Sequence, residues 1–157
     1  LSQIPTLELD DGRTLTESRA ICSYLEALSP EPNLMGRDAF ERAFIEMWDR
    51  RMELLFSMPL MMWVRHGNPV LAAVERNQNA EVASYNQGQA MRMATWLNEE
   101  LASRAWIAGD RFTIADITAA CGMDFAKMMR WRPGEELPHL RRWRLAFAER
   151  AAGKVAA

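Results

Sequence analysis

Apolar positions along the chain change their period near residue 16. Before it, Leu7 and Leu9 alternate with polar residues, the two-residue repeat of a short strand. Asp10-Asp11-Gly12 predicts a tight turn, because Gly tolerates positive φ and Asp favours turns. Arg13-Thr14-Leu15 returns as a second strand. The period then becomes helical, with Ala20, Ile21, Tyr24, Leu25 and Leu28 on one face. Ser29-Pro30-Glu31-Pro32-Asn33 ends that helix and forms a stiff linker, since proline cannot continue a helix.

Everything past the linker has helical spacing. Arg37 to about His66 predicts one long helix or two collinear ones, with an apolar stripe of Phe40, Phe44, Met47, Trp48, Met52, Leu55 and Phe56. Pro59 predicts a kink or break within it, and Gly67-Asn68-Pro69 its end. A second long helix is expected from about Ala80 to Ser103, with Ala90, Met93, Ala94, Leu97 and Leu101 inward. Gly88 within it either permits close packing or costs about 1 kcal/mol relative to Ala. A third carries Ile117, Cys121, Asp124, Phe125 and Met128 down one side. Asp124 lies at the edge of that stripe or lines a cleft. Leu137-Pro138-His139-Leu140 opens a last helix with Leu140, Trp143 and Phe147 inward.

At Thr113 to Ile117 the spacing has a local mechanism. Thr113 is placed as an N-cap, and Asp116, three residues on, returns a hydrogen bond to the cap. Phe112 and Ile117 flank it as a hydrophobic staple. The device fixes where a buried helix starts, so Asp116 reads as structural rather than catalytic.

Charge adds little direction. Lys and Arg number 19 against 21 Asp and Glu, a net charge of -2, which does not favour a nucleic-acid role. The clusters Arg130-Trp131-Arg132 and Arg141-Arg142-Trp143-Arg144 either stack bases or, more commonly, rim an amphipathic helix with Trp inward. No apolar run approaches the roughly twenty residues that span a bilayer. Cys22 and Cys121 belong to no C-x-x-C pair and are expected as buried free thiols, consistent with a reducing compartment. His66 and His139 have no partner at metal-ligand spacing, so no metal site is expected.

The start of the first helix is the strongest candidate for chemistry. Helix N-termini present unpaired N–H groups and the positive end of the dipole, which suit a carboxylate. The Ser18 hydroxyl can add a hydrogen bond, and Glu17 can accept from an ammonium on the same ligand. A free amino-acid end carries both charges. The Ile4-Pro5 bond is cis-capable, and in that form it exposes the Ile4 backbone to an extended peptide. The alternative is plainer: Ser18 or Thr16 caps the helix and Pro5 marks an edge strand.

Residues 3–28, with Ile4-Pro5, Asp10-Asp11-Gly12, Glu17-Ser18 and Ala20-Ile21-Cys22-Ser23-Tyr24-Leu25-Glu26, resemble the end of the thioredoxin-like domain of glutathione transferases. Trp106 to Ile117 resembles the family's signature in its helical domain. The resemblance is to the cytosolic, bacterial type. It implies an α/β thioredoxin-like part, present only as its C-terminal ββα, followed by an all-α bundle. The divisions implied are 1–28 for the glutathione-binding part, 29–36 for the linker and 37–157 for the helical domain. It also implies glutathione as co-substrate, with Ile4 and Pro5 meeting the cysteinyl backbone, Glu17 and Ser18 the γ-glutamyl end, and Gln3 the glycyl end.

By the same resemblance, the long helix after the linker and the Thr-capped helix border a pocket for an apolar electrophile. Trp48, Met52, Phe56 and Met128 are then candidates for its wall, or else core or dimer contacts. Met52, Met58, Met61, Met62 and Trp63 cluster nearby, and such side chains reshape easily around varied ligands. The family implies a cytoplasmic homodimer that conjugates glutathione thiolate to small electrophiles in detoxification, with no nucleic-acid or membrane partner. The family's thiol-stabilising Ser, Tyr or Cys belongs to its first strand, which has no counterpart in these residues. No catalytic residue is therefore expected in this chain. The alternatives are a non-catalytic transferase-like interaction module and a glutathione-dependent isomerase or dehalogenase.

Overall fold

A computed structural model describes residues 4–150 of the chain. Strands β1 (Thr6–Glu8) and β2 (Thr14–Thr16) pair antiparallel, with Leu7 opposite Leu15. The turn between them closes through Leu9 N–H to Arg13 O at 2.8 Å and Gly12 N–H to Leu9 O at 2.9 Å. Gly12 sits at φ 82°, the left-handed conformation that the sequence reserved for it. Helix α1 (Ser18–Leu28) follows directly. The ββα order is the one expected. The face of α1 is not: none of its residues is fully buried, and Leu25 and Leu28 are exposed. No element among the described residues covers that side.

The long helix after the linker is continuous but changes type. Helix α2 (Ala39–Arg51) runs into a π-helical turn (Met52–Ser57) and then α3 (Met58–Gly67). Met58 N–H bonds Glu53 O, five residues back. Pro59, buried one residue later, lacks an N–H, and its ring crowds the carbonyl four residues before it. The expected kink is therefore taken up as a widened turn just before the proline rather than as a break. That turn shifts the phase of the apolar stripe. Trp48, Met52 and Phe56 are buried as expected, but Leu55 and Phe40 are exposed, and Ile45 is inside instead.

Asn68 caps a short 3-10 turn (Pro69–Ala73), and Asn79 caps α4 (Ala80–Glu100), accepting from the N–H groups of Glu81 and Val82. Helix α5 (Ile114–Ala126) is the centre of the bundle, and α6 (Pro138–Glu149) closes it with Leu140, Trp143 and Phe147 inward. The face that α5 buries is a correction. It is Ile114, Ala115, Ala119, Ala120, Gly122, Met123 and Ala126 that go inside. The stripe of Ile117, Cys121, Asp124, Phe125 and Met128 lies at the margin, with Cys121 and Met128 exposed. A central helix must approach its neighbours closely, and small residues permit that. Gly122 shows it: a Cβ there would lie 2.3 Å from Ser57 Oγ. Ser57 itself donates to Thr118 O at 2.8 Å. Gly88, by contrast, has only Arg92 Nη1 nearby, at 3.5 Å, so close packing does not explain it.

The expectation of two buried thiols also fails: Cys121 is exposed and Cys22 half-buried, both free. Asp124 pairs with Arg144 and Lys127. No helix among the described residues is long and apolar enough to cross a membrane.

The linker is tied from both sides. From α1, the Glu26 carboxylate accepts from Leu34 N–H at 3.0 Å, Met35 N–H at 2.7 Å and Asn33 Nδ2 at 3.1 Å. From the bundle, Arg111 donates to Asn33 O at 2.5 Å and Oδ1 at 2.9 Å, and to Glu41 Oε1 at 2.7 Å. Ile114 N–H donates to Leu34 O at 3.1 Å, so the start of α5 is stitched to the linker as well.

Candidate functional site

The N-terminus of α1 is held open. Glu17 occupies its N-cap position at φ 66° and ψ 116°, with no side-chain cap bond. A non-glycine residue at positive φ costs on the order of 1–3 kcal/mol and persists only where its surroundings hold it. Glu17 and Ser18 are both exposed, and neither side chain bonds another described residue. The plain capping role considered for Ser18 or Thr16 is therefore absent. The Ile4–Pro5 peptide is cis, and Ile4 is 95% exposed. Gln3 lies outside the described residues. Ile4, Pro5, Glu17 and Ser18 thus lie on the exposed surface of one ββα unit.

The next residue fixes this helix end to the bundle. Arg19 Nε lies 2.7 Å from Asp49 Oδ2 on α2. Its Nη1 donates to Ser23 Oγ at 2.8 Å and to Met35 Sδ at 3.1 Å, and its Nη2 pairs with Glu46. Asp49 is 1% exposed and accepts from the Thr118 hydroxyl of α5 at 2.5 Å. Burial pushes the Asp49 carboxyl up, opposed by the Thr118 hydroxyl and by Arg19. Arg19, Asp49 and Thr118 were not singled out from the sequence. A lone acid inside the apolar stripe of α2 was the available signal.

Thr113 and Asp116 form the expected capping box. Thr113 N–H donates to Asp116 Oδ2 at 2.9 Å and its hydroxyl to the same oxygen at 3.2 Å. Asp116 Oδ1 also accepts from Ile107 N–H at 2.9 Å and Trp143 Nε1 at 2.8 Å. The side chain is fully buried, and burial pushes its carboxyl up against the pull of these four bonds. All four partners donate, so the ionised carboxylate is the form that fits. The residue holds structure and reaches no solvent.

The four residues considered for an electrophile pocket do not lie together on a wall. Trp48, Met52 and Phe56 are 3%, 0% and 0% exposed, enclosed in the core with Trp48 stacked on Trp96. Met128 is 38% exposed and lies beyond α5, in the 3-10 turn Lys127–Met129 that follows the helix margin of Cys121 and Phe125.

Comparisons with known proteins agree with this fold. The family of the glutathione S-transferase C-terminal domain matches residues 61–151, and that of the N-terminal domain matches residues 1–28. Glutathione S-transferase 2 of Saccharomyces cerevisiae is 34% identical over 152 residues, 96% of this chain and 65% of the yeast protein. The crystal structure of Gtt2 from Saccharomyces cerevisiae superposes with a TM-score of 0.91 at 33% identity, covering 99% of this chain and 75% of that one. Elongation factor 1-gamma 2 of Oryza sativa subsp. japonica is 29% identical over 145 residues, 91% of this chain but 33% of its own length. The chain thus spans under two thirds of the length of these two curated relatives. With one family match on each side of the linker and the fold reproduced almost throughout, the chain belongs to the glutathione S-transferase family.

Proposed function

We propose that Glu17 and Ser18 bind the γ-glutamyl end of glutathione, in a protein that conjugates the glutathione thiolate to apolar electrophiles. The observation that carries this reading is Glu17 at φ 66° before an uncapped helix start. The first-turn N–H groups and the Ser18 hydroxyl remain available to a carboxylate, and the Glu17 carboxylate to an ammonium. Ile4 supplies backbone groups to the cysteinyl part, Pro5 sets their direction, and Gln3 meets the glycyl end. Met128, in the turn after α5, offers apolar surface to the second substrate. Thiol activation belongs to the family's first strand, since the thiolate is the nucleophile and needs a group that lowers its pKa.

Calorimetric titration of glutathione into the intact gene product, wild type against Ser18→Ala, tests the site. The expected outcome is about a tenfold loss of affinity, the value of one hydrogen bond to a charged group. Equal affinity in the two proteins removes Ser18 from the site.

A second copy of the chain is the proposed partner. Leu54, Leu55 and Tyr85 are exposed beside Trp96 around a groove of about 440 Å³ between the π-turn and α4, as an apolar dimer face would be. The likeness to elongation factor 1-gamma 2 favours a second reading, an interaction module without conjugating activity. Glutathione binding without conjugation of any electrophile would support it.

A further inference from the structure

A thioether stands in the linker where an oxygen would suit its neighbours better. Met35 is half-buried, and its backbone N–H donates to Glu26 Oε1 at 2.7 Å. Its sulfur faces two donors, Arg19 Nη1 at 3.1 Å and the Ser23 hydroxyl at 3.7 Å. Arg19 Nη1 also donates to Ser23 Oγ at 2.8 Å, so both donors approach the sulfur from the same side. A thioether is a weak acceptor. A guanidinium is matched far better by an oxygen.

The sulfur is also within reach of small molecules. Met35, Arg19 and Ser23 line an open cavity of about 620 Å³ between α1, the linker and α2. Glu26 and Glu46 line it too, but they do not repel a small neutral oxidant. With a peroxide, the sulfur lone pair attacks one oxygen, so an S–O bond forms as the O–O bond breaks. Sulfur gives up two electrons, and the peroxide takes them. The departing oxygen keeps the electron pair of the broken bond and takes the proton of the transferred oxygen, leaving as water or an alcohol. Negative charge builds on the peroxide oxygens in the transition state, and a guanidinium and a hydroxyl beside the sulfur stabilise it. The sulfoxide oxygen that remains accepts from the same two donors more strongly than the sulfur does.

We propose that Met35 is a site of reversible oxidation by hydrogen peroxide or an organic hydroperoxide, favoured by Arg19 and Ser23. Oxidation makes the sulfur chiral, and donors on one side of it favour one epimer of the sulfoxide. An oxidant-sensitive atom then sits on the brace that Arg19 makes from α1 to α2. The proposal does not depend on the glutathione reading, because what is read is the side chain itself.

The probe is hydrogen peroxide, applied to the intact gene product, with sulfoxide at each methionine followed by mass spectrometry of tryptic peptides. Residues 20–37 form one such peptide, with Met35 as its one methionine, and tandem spectra separate it from Cys22. Exposure alone predicts that Met58 and Met61, each 41% exposed, oxidise before the half-buried Met35. The donors predict the reverse order, with Met35 faster by about threefold or more. Ser23→Ala, at an exposed position, should slow Met35 by about threefold relative to Met58 and Met61. Of the two methionine sulfoxide reductases, one per epimer, one should clear nearly all of the Met35 sulfoxide. Met35 no faster than Met58 and Met61 in the wild type overturns the proposal, whatever the variant does to the fold. An unchanged relative rate in Ser23→Ala, or clearance in equal shares by the two reductases, overturns it as well.

Discussion

At the scale of one residue, Asp116 joins three parts of the bundle. Its two oxygens accept from Thr113 twice, from Ile107 and from Trp143, so the cap of α5, the segment before it and the middle of α6 share one buried carboxylate. Asp116→Ala leaves two backbone N–H groups and an indole N–H buried without acceptors, at about 1–3 kcal/mol each. We expect a loss of about 3 kcal/mol or more by urea denaturation; a loss under about 1 kcal/mol would show that the donors find other partners. The cap half of this arrangement was legible because Thr and Asp stand at the i, i+3 spacing that capping requires. The Ile107 and Trp143 bonds were not, since they span 9 and 27 residues and exist only once the bundle is packed. The same holds for Asp49, whose partners come from α1 and α5.

At the scale of elements, two glycines on helices behave oppositely. Gly122→Ala places a methyl group 2.3 Å from Ser57 Oγ and 2.8 Å from Ser57 Cα, so α5 must move away from the π-turn. That costs about 1–3 kcal/mol despite the better helix propensity of Ala. Gly88→Ala meets only the Arg92 side chain, at an ordinary contact distance of 3.5 Å, and should stabilise α4 by about 0.5–1 kcal/mol. Thermal melting of the two variants should shift in opposite directions, and a shared sign would contradict this packing. Helix order and the inward faces of α4 and α6 were legible from apolar spacing, and the end of α1 from the prolines that follow it. The face of α5 was not, because spacing weights large side chains, whereas this helix buries mostly alanine and glycine, leaves Cys121 exposed and ends before Met128. The π-turn also defeated a constant period, since it adds a residue to one turn and moves Leu55 outward.

At the scale of the whole molecule, Glu41 and Arg111 link the bundle to the chain leaving α1. The Arg37 N–H, then the Arg111 side chain, hold the Glu41 carboxyl below its ordinary 4.5. A carboxyl depressed in the folded state stabilises fully above its unfolded value, and that contribution fades as pH falls through 4.5 toward the folded value. The stability difference between wild type and Glu41→Gln should therefore be largest near neutrality and shrink below pH 4.5. A difference independent of pH would mean the pair contributes nothing through its charge. None of this was legible in the sequence, where Glu41 and Arg111 stand 70 residues apart. The glutathione half-site we propose is the converse case, since its Glu-Ser pair, turn and helix start are contiguous in the sequence. Arg19 reaching into α2, Glu26 gripping the linker and Arg111 gripping it from the other side act as braces in different directions. Anything that docks at Glu17 and Ser18 meets a surface already assembled. Little of its binding free energy is then spent on closing a hinge, and affinity reflects the contacts themselves.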